Sequence, residues 1–140
     1  MRAQQHAEDW LREMMAEMRT DDHNAAYVAL RAGLQALRDR LPVNEAAKLA
    51  AQLPLLLRGL YYENWRPAVT PVKTRDRGEF FDLVRQHTHT NGGLDPNLIV
   101  LCTWRLLNRH VSPGELESIE AIMPPEIRSL LAESVVQASL

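Results

Sequence analysis

Two arginines and two glutamates in this 140-residue chain recur at one interval: Arg58 and Arg128, and Glu45 and Glu115, each stand 70 positions apart. A pair of guanidinium forks suits a phosphate or a carboxylate, since each fork offers planar, convergent donors. The structural alternative is an ion pair or a clamp on free carbonyls at a helix end, and repeats retain what a fold requires. Paired glutamates are the groups that general acid–base chemistry uses. The run "SPGE" (Ser112 to Glu115) points elsewhere: a serine N-cap, a proline at the first helical position and a glutamate reaching back three residues later form a capping box. The matching "PVNE" lacks the serine. No catalytic residue is assigned to either glutamate.

His87 and His89 lie in "HTHTNGG". Two residues apart on a helix they point to nearly opposite sides, which is poor for chelation, and zinc needs several convergent ligands. The run reads as a helix end, with the histidines favouring the C-terminal dipole and Asn91-Gly92-Gly93 supplying left-handed stop residues. His23 and His110 are the other histidines that folding could bring to them. Cys102, in "LIVLCTWRLL", reads as a small buried hydrophobe. No Gly-rich phosphate loop, HExxH, GxSxG or CxxC pattern occurs. No metal site and no cofactor is therefore expected. The richest binding candidate is "YYENWRP": Tyr61, Tyr62 and Trp65 followed by Arg66, ahead of Lys73, Arg75 and Arg77. Tyr, Trp and Arg together are typical of binding hot spots, although aromatics at an element end also serve packing. Tyr61, Tyr62, Trp65, Arg66, Arg58 and Arg128 are the candidate binding residues.

The elements that must position these side chains are helical. Trp10, Leu11, Met14, Met15 and Met18 share one face, as do Leu30, Leu34, Leu37 and Leu41. The second stripe is backed by Ala25, Ala26, Ala29, Ala32, Gly33 and Ala36, small enough to admit a neighbouring helix closely. "NEAAKLAAQ" and "LPLLLRGLYYENW" give a third and a fourth helix. Phe80, Phe81 and Val84 open a fifth, and "LDPNLIVLCTWRLLNRHV" is a sixth, apolar on most faces and expected to be the most buried. "SPGELESIEAI" and "PPEIRSLLAESVVQASL" complete eight. Strand signals are weak.

At the 70-residue offset the chain matches itself without a gap: Trp10 with Phe80, Leu37 with Leu107, Leu49 with Ile119, Pro54 with Pro124, Arg58 with Arg128. The spacing predicts an all-α, bundle-like single domain of two pseudo-repeated four-helix halves, 1–65 and 79–140, with a joint at 66–78. Pro54 and Pro124 mark corners, because proline suits a helix start and ends the helix before it.

With 46% apolar and 24% charged residues and a formal charge of −2, the chain has the balance of a globular protein and no field suited to nucleic acid or anionic lipid. No window approaches the roughly 20 apolar residues of a membrane helix, and "MRAQQHAEDWLREMM" has no apolar core of a signal peptide. One cysteine admits no internal disulfide. A cytoplasmic setting without membrane or nucleic acid is expected.

The stretch "LRDRLPVNEAAKLAAQLPLLLRGLYYENWRP" resembles the signature of the bacterial domain of unknown function 2267 family, and "LLNRHVSPGELESIEAIMPPEIRSLL" resembles its repeat. The resemblance covers nearly the whole chain. It implies an all-helical, cytosolic, bacterial protein and carries no activity.

The leading expectation is a non-enzymatic interaction or adaptor module, binding a protein partner or a second copy of itself through a helical face or the aromatic-basic joint. The alternative is a small-molecule binder or enzyme with a pocket between the halves, lined by Tyr62, Arg58 and Arg128. A helix-turn-helix made by the second and third helices is disfavoured, since Asp39 and Glu45 flank its turn and repel phosphates.

Overall fold

The computed structural model describes residues 2–89 and 93–138. Among them run eight α-helices and one 3-10 turn, with no strand: α1 (Arg2–Met18), α2 (His23–Asp39), α3 (Val43–Ala50), α4 (Leu55–Tyr62), the 3-10 turn Pro67–Val69, α5 (Arg77–Thr88), α6 (Pro96–His110), α7 (Pro113–Ile122) and α8 (Pro125–Ala138). None is long and apolar enough to cross a membrane.

Local chemistry sets where these helices start and stop. Asp22, Asp76 and Asp95 each accept a first-turn backbone N–H, at 3.1, 2.8 and 3.1 Å, satisfying donors that have no partner inside the helix. Prolines occupy the N-caps of α3 (Pro42) and α4 (Pro54), where no side-chain cap bond forms. The helix ends opposite those corners are closed from the next helix. Arg58 donates to the carbonyls of Ala50, Ala51 and Leu53 at 2.9, 3.4 and 3.2 Å. Arg128 donates to those of Glu120, Ala121 and Met123 at 3.0, 3.4 and 3.0 Å. Each arginine thus ties off the helix before its own. α5 ends on His89, which takes the left-handed conformation (φ 56°), so the stop falls there, ahead of Gly93. Asn91 and Gly92 lie outside the described residues.

α2 is the axis of the bundle, packing on α1, α4, α5 and α6, while α6 packs on α1, α2, α5 and α8. α3 meets α4 and α7, and α7 also meets α8. The core is built from Trp104, Tyr61, Phe80 and Met14, all without exposed surface, with the Leu30–Leu34–Leu37–Leu41 stripe beside them. Each large apolar side chain fully buried in this way stabilises by roughly 1.5–3 kcal/mol. Trp10 and Met14 face inward from α1, with Leu11, Met15 and Met18 partly buried beside them.

The expectation that α6 is the most enclosed helix is corrected: every residue of α2 from Ala32 to Asp39 is buried, including Gln35, Arg38 and Asp39. Polar side chains hid this burial in the hydropathy pattern. The small-residue face of α2 does admit a neighbour. A Cβ on Gly33 would stand 2.1 Å from Thr103 Oγ1 and 2.8 Å from its Cβ, so α6 crosses α2 at a distance only glycine allows. Gly33→Ala is expected to destabilise by about 1–3 kcal/mol through overpacking, and Gly33→Ala with Thr103→Ala to recover most of that loss, both read by urea denaturation.

Candidate functional site

The last turn of α2 carries a guanidinium that is 2% exposed. Burying a charge is tolerated only when it is paired and hydrogen-bonded, and Arg38 meets that demand on two sides. Its Nη1 donates to the carbonyls of Tyr61 and Glu63, both at 2.8 Å, and so caps the C-terminal end of α4. Its Nε and Nη2 lie 2.8 and 2.7 Å from Asp39 Oδ1. Gln35, one turn earlier, adds a bond to the carbonyl of Leu60 at 2.9 Å.

Asp39 then links α2 to α5. Its Oδ2 lies 2.7 Å from His87 Nε2. Burial pushes the Asp39 carboxyl up, but the bonds from His87 and Arg38 outweigh it and hold the group below its ordinary value of 3.8. The joint is fastened to the same turn: the Asp39 carbonyl accepts from Val72 N at 2.7 Å, and Arg40 Nε donates to the carbonyl of Thr74 at 3.1 Å. Asn64, left-handed at φ 60°, a conformation asparagine tolerates, turns the chain into the joint as α4 ends.

Above this floor opens a cleft of about 470 Å³ between the end of α2, the joint and α5. Arg38, Asp39 and His87 lie at its base, Arg66, Val69 and Val72 come from the joint, and Glu79, Leu83 and Gln86 from α5. Asp39 occupies one ring nitrogen of His87 and fixes the ring, leaving Nδ1 as its other polar atom. A carboxylate-oriented imidazole at a cleft is able to bind a polar ligand or carry a proton.

The residues singled out from sequence fall in different places. Arg66 is exposed and lines the cleft. Tyr62 and Trp65 meet with ring centres 5.2 Å apart and planes tilted by 37°, and pack partly buried against the core. Tyr61 has no exposed surface, and its hydroxyl donates to the carbonyl of Ala46 at 2.9 Å. Burial pushes that hydroxyl's pKa far above its ordinary value of 10.0, so Tyr61 has no surface to offer a ligand. Arg58 and Arg128 are committed to helix-end carbonyls and do not line the cleft. Sequence reasoning missed Arg38, Asp39 and His87 as a unit.

The capping box forms by half. Ser112 Oγ accepts from Glu115 N at 3.4 Å, but the Ser112 N–H donates to Gln52 Oε1 at 2.7 Å. The Glu115 side chain instead faces Glu45, and both residues are buried, at 6% and 9% exposure. Cys102 is buried, and desolvation first of all drives its thiol up to about 11.

The family model described as "Uncharacterized conserved protein (DUF2267)" matches residues 7–130. The chain belongs to that family. No curated protein matches it. The DUF2267 match spans α2, the joint and all of α5, so every residue of the Arg38–Asp39–His87 chain lies inside the family segment.

Three outcomes follow for this DUF2267 chain. Arg38→Met takes the guanidinium from Asp39, leaves two carbonyls unpaired and is expected to cost about 3–5 kcal/mol in chemical denaturation. Because the folded value of Asp39 is lowered, its contribution is present above pH 3.8 and lost as pH falls through that lowered value; Asp39→Asn should abolish this acid limb. Cys102, its thiolate suppressed, should react at pH 8 with a thiol reagent only as fast as the chain unfolds, and labelling of the native protein on mixing would contradict its sealed position.

Proposed function

We propose that the protein binds a small polar molecule in the cleft between α2, the joint and α5. The observation that carries this reading is the Arg38–Asp39–His87 chain at the base of the cleft, buried at Arg38 and Asp39 and half-buried at His87. Three charged or titratable groups converge there. Pockets that take small molecules combine apolar walls with a few placed polar groups, and Val69, Val72 and Leu83 supply such walls here. Arg66 of the joint and Glu79 of α5 give the rim both signs of charge, which suits a polar ligand better than a uniform polyanion.

The cytoplasm of a bacterium is the setting proposed for it, supported by a lone buried cysteine that suits a reducing compartment. Two duplicated halves, 1–65 and 79–140, are also part of the proposal. The matched carbonyl clamps of Arg58 and Arg128, 70 residues apart, support that origin. A site between such halves arises where the copies differ.

A second reading, an interaction module binding a protein or a second copy of the chain, draws support from Leu55 and Leu56. These neighbours at the start of α4 are 63% and 51% exposed, and hydrophobic residues left exposed together mark contact surfaces when the patch is large.

An NMR titration with a library of small polar metabolites tests the first reading. A binder should shift the amides of Val72, Thr74 and Leu83, and Arg66→Ala or His87→Ala should weaken it at least tenfold. If no compound moves those amides while sedimentation shows a concentration-dependent dimer, the interaction reading replaces it.

A further inference from the structure

Glu45 and Glu115 are two carboxylates placed where ionised carboxylates should not be. Glu45 lies in the first turn of α3 and Glu115 in the first turn of α7, and the two helices pack on each other. The two carboxyl groups face one another across that contact, and each has one buried oxygen, Oε1, to which no other group donates. A hydrogen bond between two carboxyl groups requires a proton on one of them. A fully charged pair would leave those oxygens desolvated and mutually repelling.

The surrounding charges do not supply a second neutralising cation. From α3, Lys48 Nζ stands 3.5 Å from Glu45 Oε2, on a side chain that is 60% exposed. From α4, the Tyr61 hydroxyl is spent on the carbonyl of Ala46, and Arg58 on the carbonyls that close α3. From α2, Arg38 and Asp39 neutralise each other. From α8, which packs on α7, Arg128 is spent on the carbonyls of Glu120, Ala121 and Met123. One partly solvated lysine therefore faces two buried carboxyls.

We propose that Glu115 and Glu45 share a single proton across the contact between α3 and α7, and that this bond is a pH-sensitive latch on that contact. With the proton in place, the pair is one neutral acid donating to one carboxylate. Without it, two anions face each other beside Leu49 and Ile119, both of which are fully buried in the closed form. Burial, followed by the bond to Glu45 and its charge, raises the pKa of Glu115 from 4.5 to about 7, which puts the change within reach of physiological pH. A raised folded value means that the stabilisation is complete below pH 4.5 and lost as pH rises through about 7. Asp39 titrates in the opposite sense and in acid, so the two effects separate.

Carbon-detected NMR of the glutamate side chains in the wild-type protein is the direct test. The Glu115 carboxyl is expected to titrate at about 7, well above its ordinary value of 4.5. Titration of Glu115 in the ordinary carboxylate range would overturn the shared proton without needing any variant. Urea unfolding between pH 5 and 8.5 then tests the latch. The wild-type unfolding constant should rise on the order of ten- to a hundredfold more than that of Glu115→Gln, because the amide donates to Glu45 at every pH. Hydrogen exchange in α3 and α7 should accelerate relative to α2 over the same range. Equal pH slopes for wild type and Glu115→Gln, or exchange in α3 and α7 that tracks α2 throughout, would remove the latch.

Discussion

A guanidinium cannot be left unsatisfied inside a protein, and Arg38 is sealed beneath the surface at the crossing of three structural elements. Its donors fix what surrounds it. Two carbonyls of the chain leaving α4 must come to it, which sets where that helix ends and how the joint departs. A carboxylate must also come to it, and Asp39 is held ionised by the same bonds. An ionised Asp39 in turn has a second oxygen to satisfy, and His87 brings α5 to it. The cleft is thus the outer face of a network that the burial of one charge makes obligatory, and the network would be needed for folding even with the cleft empty.

The positions 70 residues away in sequence carry different chemistry. Seventy positions on from Asp39 stands Arg109, and seventy positions before His87 stands Glu17; these two residues form a short ion pair joining α6 to α1. The positive and negative partners have exchanged helices. Arg109 also lies 3.3 Å from Glu13, whose carboxylate receives His110 as well, the imidazole being stacked on Trp10 with ring centres 4.4 Å apart.

What the sequence showed plainly were the features that act locally or repeat. Helical spacing located all eight helices, because each buries one stripe. Pro54 and Pro124 located the corners, and the paired arginines, legible as either an ion pair or a carbonyl clamp, form the clamp. Arg38 was illegible because its partners lie 23 and 25 residues away, and a lone cation on an otherwise apolar stripe reads like a solvated one. The pattern did hold a hint: Gln35 and Arg38, three apart, sit on the same flank of α2 among leucines and alanines. Glu45 and Glu115 were visible as a recurring pair. Their meeting was not, because a serine three residues before Glu115 offered it a sufficient local partner, and only folding gives that serine's N–H to Gln52. The joint was legible as a break in periodicity, but α5 begins at Arg77, two residues inside the expected boundary.

The corners at Pro54 and Pro124 are closed by an arginine reaching back over three carbonyls, with no glycine in the turn. Such an elbow has little freedom to bend: the proline ring restricts one torsion, and flexing the corner would break several charge-assisted bonds at once. α3 with α4, and α7 with α8, therefore travel as stiff brackets. Any large opening of this molecule has to pivot outside these brackets, and one such segment, between Glu63 and Asp76, is fastened to α2 through Arg40 and the backbone of Asp39.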